Sequence, residues 1–212
     1  MTWYTYFRML NLLRYPAVVY CIGSMGSGKT TLALATYVYL RDTKLKDIDF
    51  HYISVDTEDE LLDAFNATLD RIRESSTEYS FVLLDDLSYV LNPRSNKGRE
   101  FLTQVFKIRH LTGKDKVIIW LNGHYSRSIA PFLRSTDYRI LTSLTHPEIK
   151  QYTSEYLFSD RDLWEYLNAL VKHKHVILVQ FKHVVKLISV RLTSNHYLKK
   201  KIDELKKQYG LQ

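Results

Sequence analysis

"YCIGSMGSGKTTLALATYVYL", residues 20–40, sets a run of glycines and serines ending in a lysine between an apolar stretch and a second apolar segment of helical period. "AVVYCIG" (17–23) reads as a buried strand and "KTTLALATYVYLRD" (29–42) as the helix that follows it. The link between them, "GSMGSGKT" from Gly23 to Thr30, fits G-x-x-x-x-G-K-[ST] in the strand–loop–helix context that this motif requires. Glycines let successive backbone N–H groups turn inward around phosphate oxygens, and the helix N-terminus adds its positive end. The expected nucleotide-binding residues are Gly23, Ser24, Met25, Gly26, Ser27, Gly28, Lys29, Thr30 and Thr31. Lys29 is placed to reach the β- and γ-phosphates of ATP, and the Thr30 hydroxyl to take one Mg²⁺ position.

Outward from the loop, apolar runs and helical patterns alternate, which predicts an α/β fold with a mostly parallel central sheet flanked by helices. Strands are expected at 50–55, 80–86, 116–122 and 137–144, with helices at 58–74, 97–111 and 159–173. Two late runs, "HVILVQF" and "VVKLISVRL", add strands near the C-terminus. The 212 residues read as one ATPase domain, with an aromatic N-terminal extension (1–16) and a basic C-terminal helix (195–212).

"SFVLLDD" (80–86) supplies the second half of a phosphate site, because an acid at the end of a buried strand is where a metal is held. Asp85 is assigned to Mg²⁺. Two adjacent carboxylates repel unless a cation or a polarised water separates their roles, so Asp86 is assigned to orienting the attacking water. A complete strand and helix lie between Lys29 and Asp85. That spacing and the extra acid match RecA-like motor ATPases better than small-molecule kinases, which makes ATP fuel rather than substrate.

The segment "KIRHLTGKDKVIIWLNGHYSRSIAPFLRSTDYRILTSL" (107–144) resembles the FtsK/HerA superfamily of DNA-pumping ATPases, and in particular the compact genome-packaging ATPases of membrane-containing, archaeal-type viruses. The resemblance covers about residues 17–190, and its specific part is the two Walker motifs. It implies a RecA-like P-loop NTPase fold and a sensor at Asn122, where the family usually has the longer glutamine. It also implies arginines at the subunit boundary, with Arg109, Arg134 and Arg139 in the matching places. Arg109 is the first candidate for a finger inserted into a neighbour's site, against the plain reading of an exposed arginine at a helix C-terminus. The implied activity is ATP-driven translocation of double-stranded DNA by a homo-oligomeric ring, a hexamer by the family's pattern, with a capsid or portal protein as a further partner. Three alternatives stay open: a helicase or helicase loader on single strands, a nucleotide-gated morphogenesis or secretion ATPase, and a small-molecule kinase with the basic segment 127–139 as its lid.

Composition narrows the classes. Thirty basic against 23 acidic residues give a formal charge of +7, which favours a polyanion partner. The one cysteine, Cys21, excludes a disulfide scaffold and suits a cytoplasmic setting, in a host cell or associated with a virion if the chain is viral. No run reaches the ~20 apolar residues of a membrane span. His173 and His175 stand two apart without the cysteines or acids of a metal site, and no group of carboxylates beyond residue 145 has the look of a nuclease centre. The basic tail reads either as a solvated helix or as a lining for DNA phosphates. The aromatic "TWYTYFRMLNLLRYP" (2–16) reads as a packing segment, with base stacking and membrane contact as alternatives.

Overall fold

The computed structural model describes residues 3–124, 136, 138–145, 147–148, 168–170, 173, 175–181, 184–191 and 195–211. Their centre is a seven-stranded sheet ordered β2-β3-β4-β1-β5-β6-β7. Strands β1 (Ala17–Ile22), β2 (Ile48–Ile53), β3 (Tyr79–Leu84), β4 (Val117–Gly123) and β5 (Tyr138–Leu141) run parallel, while β6 (Val176–Phe181) and β7 (Val184–Ser189) form an antiparallel edge. Strand β4 therefore lies between the strand that carries the glycine loop and the strand that ends in Asp85. The strand counted in the sequence between Lys29 and Asp85 is β2, which pairs beyond β3 at the edge of the sheet.

Both faces of the sheet are covered, which explains why β3 and β4 carry continuous apolar runs, Phe81–Leu84 and Val117–Leu121, rather than alternating. Ala17, Val19 and Cys21 point into one core with Phe81, Leu83, Ile118 and Trp120; Tyr20, Ile22, Val82, Leu84, Ile119 and Leu121 point into the other. On the first face lie α1 (Trp3–Met9), α2 (Lys29–Thr43) and α7 (His196–Tyr209). The second is covered by α3 (Glu58–Glu74), α4 (Leu87–Val90), α5 (Asn96–Phe106) and α6 (Ile108–Thr112). Helix α3 starts at Thr57, whose side chain accepts from the Glu60 N–H, and buries Leu61, Phe65, Leu69 and Ile72 at helical spacing.

One expectation is corrected. The single helix expected over 97–111 is two: at Lys107 (φ −97°, ψ 13°) the backbone leaves helical geometry, its N–H shared between the Thr103 and Gln104 carbonyls, and α6 restarts with Ile108 buried. The aromatic N-terminus is helical, with Trp3, Tyr6 and Met9 on its buried side. The Trp3 indole donates to the Arg191 carbonyl at 2.8 Å, and the Tyr6 hydroxyl bonds Thr36 on α2, so this segment packs against the chain itself. The helix expected over 159–173 falls almost wholly outside the described residues; 168–170 are helical.

Two buried groups have consequences for solution behaviour. Burial pushes the Cys21 thiol up to about 12, a direction reinforced by Asp85 and opposed by Lys29. On β2, burial holds the His51 imidazole below its ordinary value, Arg71 and Lys114 adding to the effect and Asp49 opposing it. Its Nε2 is buried without a hydrogen-bond partner, so the folded state favours the neutral ring. The unfolded chain then binds the proton first: stability present above the ordinary histidine value of about 6.5 is lost as pH falls through it towards the folded value. Thermal unfolding followed from pH 8 to pH 5 is expected to show a falling Tm, and His51→Gln to flatten that slope.

Candidate nucleotide site

The glycine loop turns because Gly26 (φ 70°) and Gly28 (φ 86°) take the left-handed region, which residues with a Cβ rarely enter. It is fastened from behind by the ends of two neighbouring strands. Gly23 N–H donates to the Gly123 carbonyl at 3.2 Å, and both the N–H and the hydroxyl of Ser24 donate to the Ser143 carbonyl, at 2.9 and 3.0 Å. The Thr142 hydroxyl lies 2.7 Å from that of Ser27 and donates to the Ile22 carbonyl at 3.1 Å. A Cβ at Gly23 would stand 1.8 Å from Thr142 Oγ1, so the close packing of loop on β5 demands glycine there. Thr142 and Ser143 were invisible as site residues in the sequence, since only strand pairing brings them to the loop.

Lys29 is buried, its ammonium donating to the carbonyls of Gly23 at 3.0 Å and Ser24 at 3.1 Å. One residue on, the Thr30 hydroxyl donates to Asp85 Oδ2 at 2.7 Å. The other carboxylate oxygen, Oδ1, accepts from Asn122 Nδ2 at 2.9 Å. Asn122 is in turn oriented by Trp120, whose Nε1 donates to its Oδ1 at 2.8 Å and leaves the amide NH₂ facing Asp85. Asn122 is fully buried and does not line the cleft; its side chain reaches Asp85.

Asp86 is the single non-glycine residue with positive φ among the described residues (φ 51°). Aspartate tolerates this conformation better than most residues, and held strain of this kind concentrates at functional sites. It occupies the N-cap of α4 without capping it through its side chain, and its exposed carboxylate lines the cleft. Nearby, His124 follows β4, its N–H donating to Ser88 Oγ at 2.8 Å; burial and then the Lys29 charge hold its imidazole low.

These groups open on a cleft of about 720 Å³, a size suited to a small-molecule ligand. Residues 25–31, Tyr52, Ser54, Asp85 and Asp86 line it, together with Lys206, Gly210 and Leu211 from the end of α7, which the sequence gave no reason to place here. A hydroxyl and a carboxylate 2.7 Å apart fit Mg²⁺, a hard cation that takes few protein oxygens and completes its shell with water and phosphate. Among the described residues no group of three or more His, Cys, Asp or Glu is placed to hold a metal.

The arginines lie elsewhere. Arg109, on α6 ahead of β4, is at the sheet edge where the parallel strands begin, opposite its own phosphate loop, and is ion-paired with Asp115 at 2.5 Å. Arg139 is half-buried on β5, its Nε donating to the Thr136 carbonyl at 3.3 Å. Neither lines the cleft. Arg134, with Arg127, falls outside the described residues.

Comparison with solved structures places this architecture. The genome-packaging NTPase B204 of Sulfolobus turreted icosahedral virus 2, in complex with sulfate, superposes with a TM-score of 0.61 at 12% identity, over 85% of this chain and 99% of that one. The DNA-packaging ATPase B204 of Sulfolobus turreted icosahedral virus gives 0.56 at 13% identity, over 82% and 98%. The cytoplasmic domain of the type VII secretion ATPase EccC of Thermomonospora curvata gives 0.57 at 14% identity, over 89% of this chain and 28% of that one. No protein-family model and no curated protein matches the sequence. A seven-stranded mixed sheet with β4 between the loop strand and the acidic strand, together with the likeness to these structures over most of the chain, marks the fold of a RecA-like P-loop NTPase.

Proposed function

We propose that the chain is a Mg²⁺-dependent P-loop ATPase that works as a double-stranded DNA translocase, as a homo-oligomeric ring, a hexamer by resemblance, in the packaging of a viral genome. The observation that carries the ATPase part is the convergence of Lys29, Thr30, Asp85 and Asp86 on one cleft at the mouth of the glycine loop. The translocase part is supported by the likeness to B204 proteins over most of both chains and by the charge of +7. A capsid or portal partner, and a place in the host cytoplasm or on the virion, belong to the same reading. Among the described residues no helix is long and apolar enough to cross a membrane.

In this mechanism the loop and the first turn of α2 bind the phosphates, and Lys29 exchanges two neutral carbonyl partners for charge-assisted bonds to the β- and γ-oxygens. Thr30 and Asp85 would hold Mg²⁺, which neutralises charge on the phosphates when bound. Asp86 orients water for attack, and Asn122 with Trp120 keeps Asp85 in register. Since Arg109 faces away from its own cleft, its finger role would be played in the site of a neighbour.

The likeness to the EccC domain favours a second reading, a nucleotide-gated secretion or morphogenesis ATPase. Steady-state hydrolysis measured across protein concentrations, with and without long double-stranded DNA, separates the two. A translocating ring is expected to show more than linear dependence on protein and stimulation by DNA. Hydrolysis indifferent to DNA would count against translocation, stimulation by single strands alone would point to a helicase or loader, and phosphate transferred to an acceptor would point to a kinase.

A further inference from the structure

Part of the cleft wall comes from neither Walker motif. Lys206, Gly210 and Leu211, at the end of α7, border the same cavity as Lys29 and Asp85. Three sets of contacts fix the helix along its length. Leu198, Ile202 and Leu205, spaced at four and three residues, are buried in the core that includes α2, each contributing roughly 1.5–3 kcal/mol by burial. Tyr197 donates to Asp42 Oδ2 at 2.7 Å, and the Tyr209 ring packs at 4.9 Å on Phe50 of β2. Gly210 (φ 65°) then reverses the chain, with Leu211 N–H donating to the Lys206 carbonyl at 2.8 Å. Leu205 faces the core and Lys206, about 100° further round the helix, faces the cleft.

We propose that Lys206 is a nucleotide-contacting residue whose ammonium meets the polyphosphate as a second cation beside Lys29, so that α7 is part of the ATP site. This rests on the ATP-site reading above. The chemistry favours phosphate as the ligand group: the cleft already holds two carboxylates, and a metal at Asp85 leaves a bound triphosphate with negative charge that one lysine does not match.

Calorimetric titration of the full chain with ATP, ADP and AMP in Mg²⁺ tests it, using wild type, Lys206→Ala, Lys206→Arg and, as a charge-matched control, Lys46→Ala in the turn before β2, outside the cleft lining. Lys206→Ala is expected to weaken ATP binding by roughly tenfold or more and AMP binding little, with Lys206→Arg restoring most of the loss. Lys46→Ala is expected to bind as wild type. Unchanged ATP affinity in Lys206→Ala, or an equal loss for ATP and AMP, overturns the phosphate contact while leaving the ATP site standing. A wild-type chain that binds none of the three overturns the ATP site itself, and Lys206 with it.

Discussion

Asp86→Asn is expected to lower ATP hydrolysis by on the order of 10²–10⁴-fold while leaving nucleotide binding close to wild type. The substitution is unusually clean because the backbone at Asp86 has φ 51°, and asparagine is as much at home there as aspartate. Size and conformation are kept, and only the negative charge is lost. The carboxylate is exposed and gives no side-chain hydrogen bond to α4, so the fold does not depend on it. Parallel measurement of single-turnover hydrolysis and ATP affinity checks the split. Equal loss of both would mean that Asp86 holds the metal instead, and undiminished hydrolysis would remove it from the chemistry.

Trp120→Ala is expected to carry the largest stability cost. Trp120 is fully buried in the middle of β4, stacked near Phe81 with ring centroids 6.1 Å apart. Truncating such a side chain leaves a cavity in a two-sided core, at a cost of about 3–5 kcal/mol and a fall in Tm of roughly 10 °C. The milder Trp120→Phe separates packing from positioning. It keeps a ring but removes the N–H that fixes the Asn122 amide, so Asp85 loses a well-aimed donor. Its expected signature is a several-fold lower kcat with KM little changed, alongside a smaller loss of Tm. Denaturation curves together with steady-state kinetics check both variants.

Local pattern made half of this site readable in advance. A glycine loop between a strand and a helix, and two acids after an apolar run, are short-range features whose geometry follows from backbone chemistry alone. The extra strand between the two motifs, β2, could be counted from the sequence, whereas the placement of β4 between β3 and β1 is set by strand pairing alone. Thr142, Ser143 and Lys206 could not be found this way. Each is an ordinary residue in its own segment and reaches the loop or its cleft only when a strand end or a helix end is carried across more than 100 positions. The break at Lys107 escaped for a related reason: helical periodicity continues through it, and burial of Ile108 decides the restart. The N-terminal helix was hidden by its aromatics, which carry weak helical preference and form a helix here because the core receives them.

The solitary thiol beneath the phosphate loop has a practical side. Cys21 is the one cysteine in 212 residues, fully buried, and held in its unreactive protonated form far above neutral pH. The native background for maleimide chemistry is therefore close to nil. A single cysteine introduced at exposed Met25 on the loop tip or Tyr4 on α1 would carry a fluorophore or cross-linker to one known place, with no need to strip the wild-type sequence first.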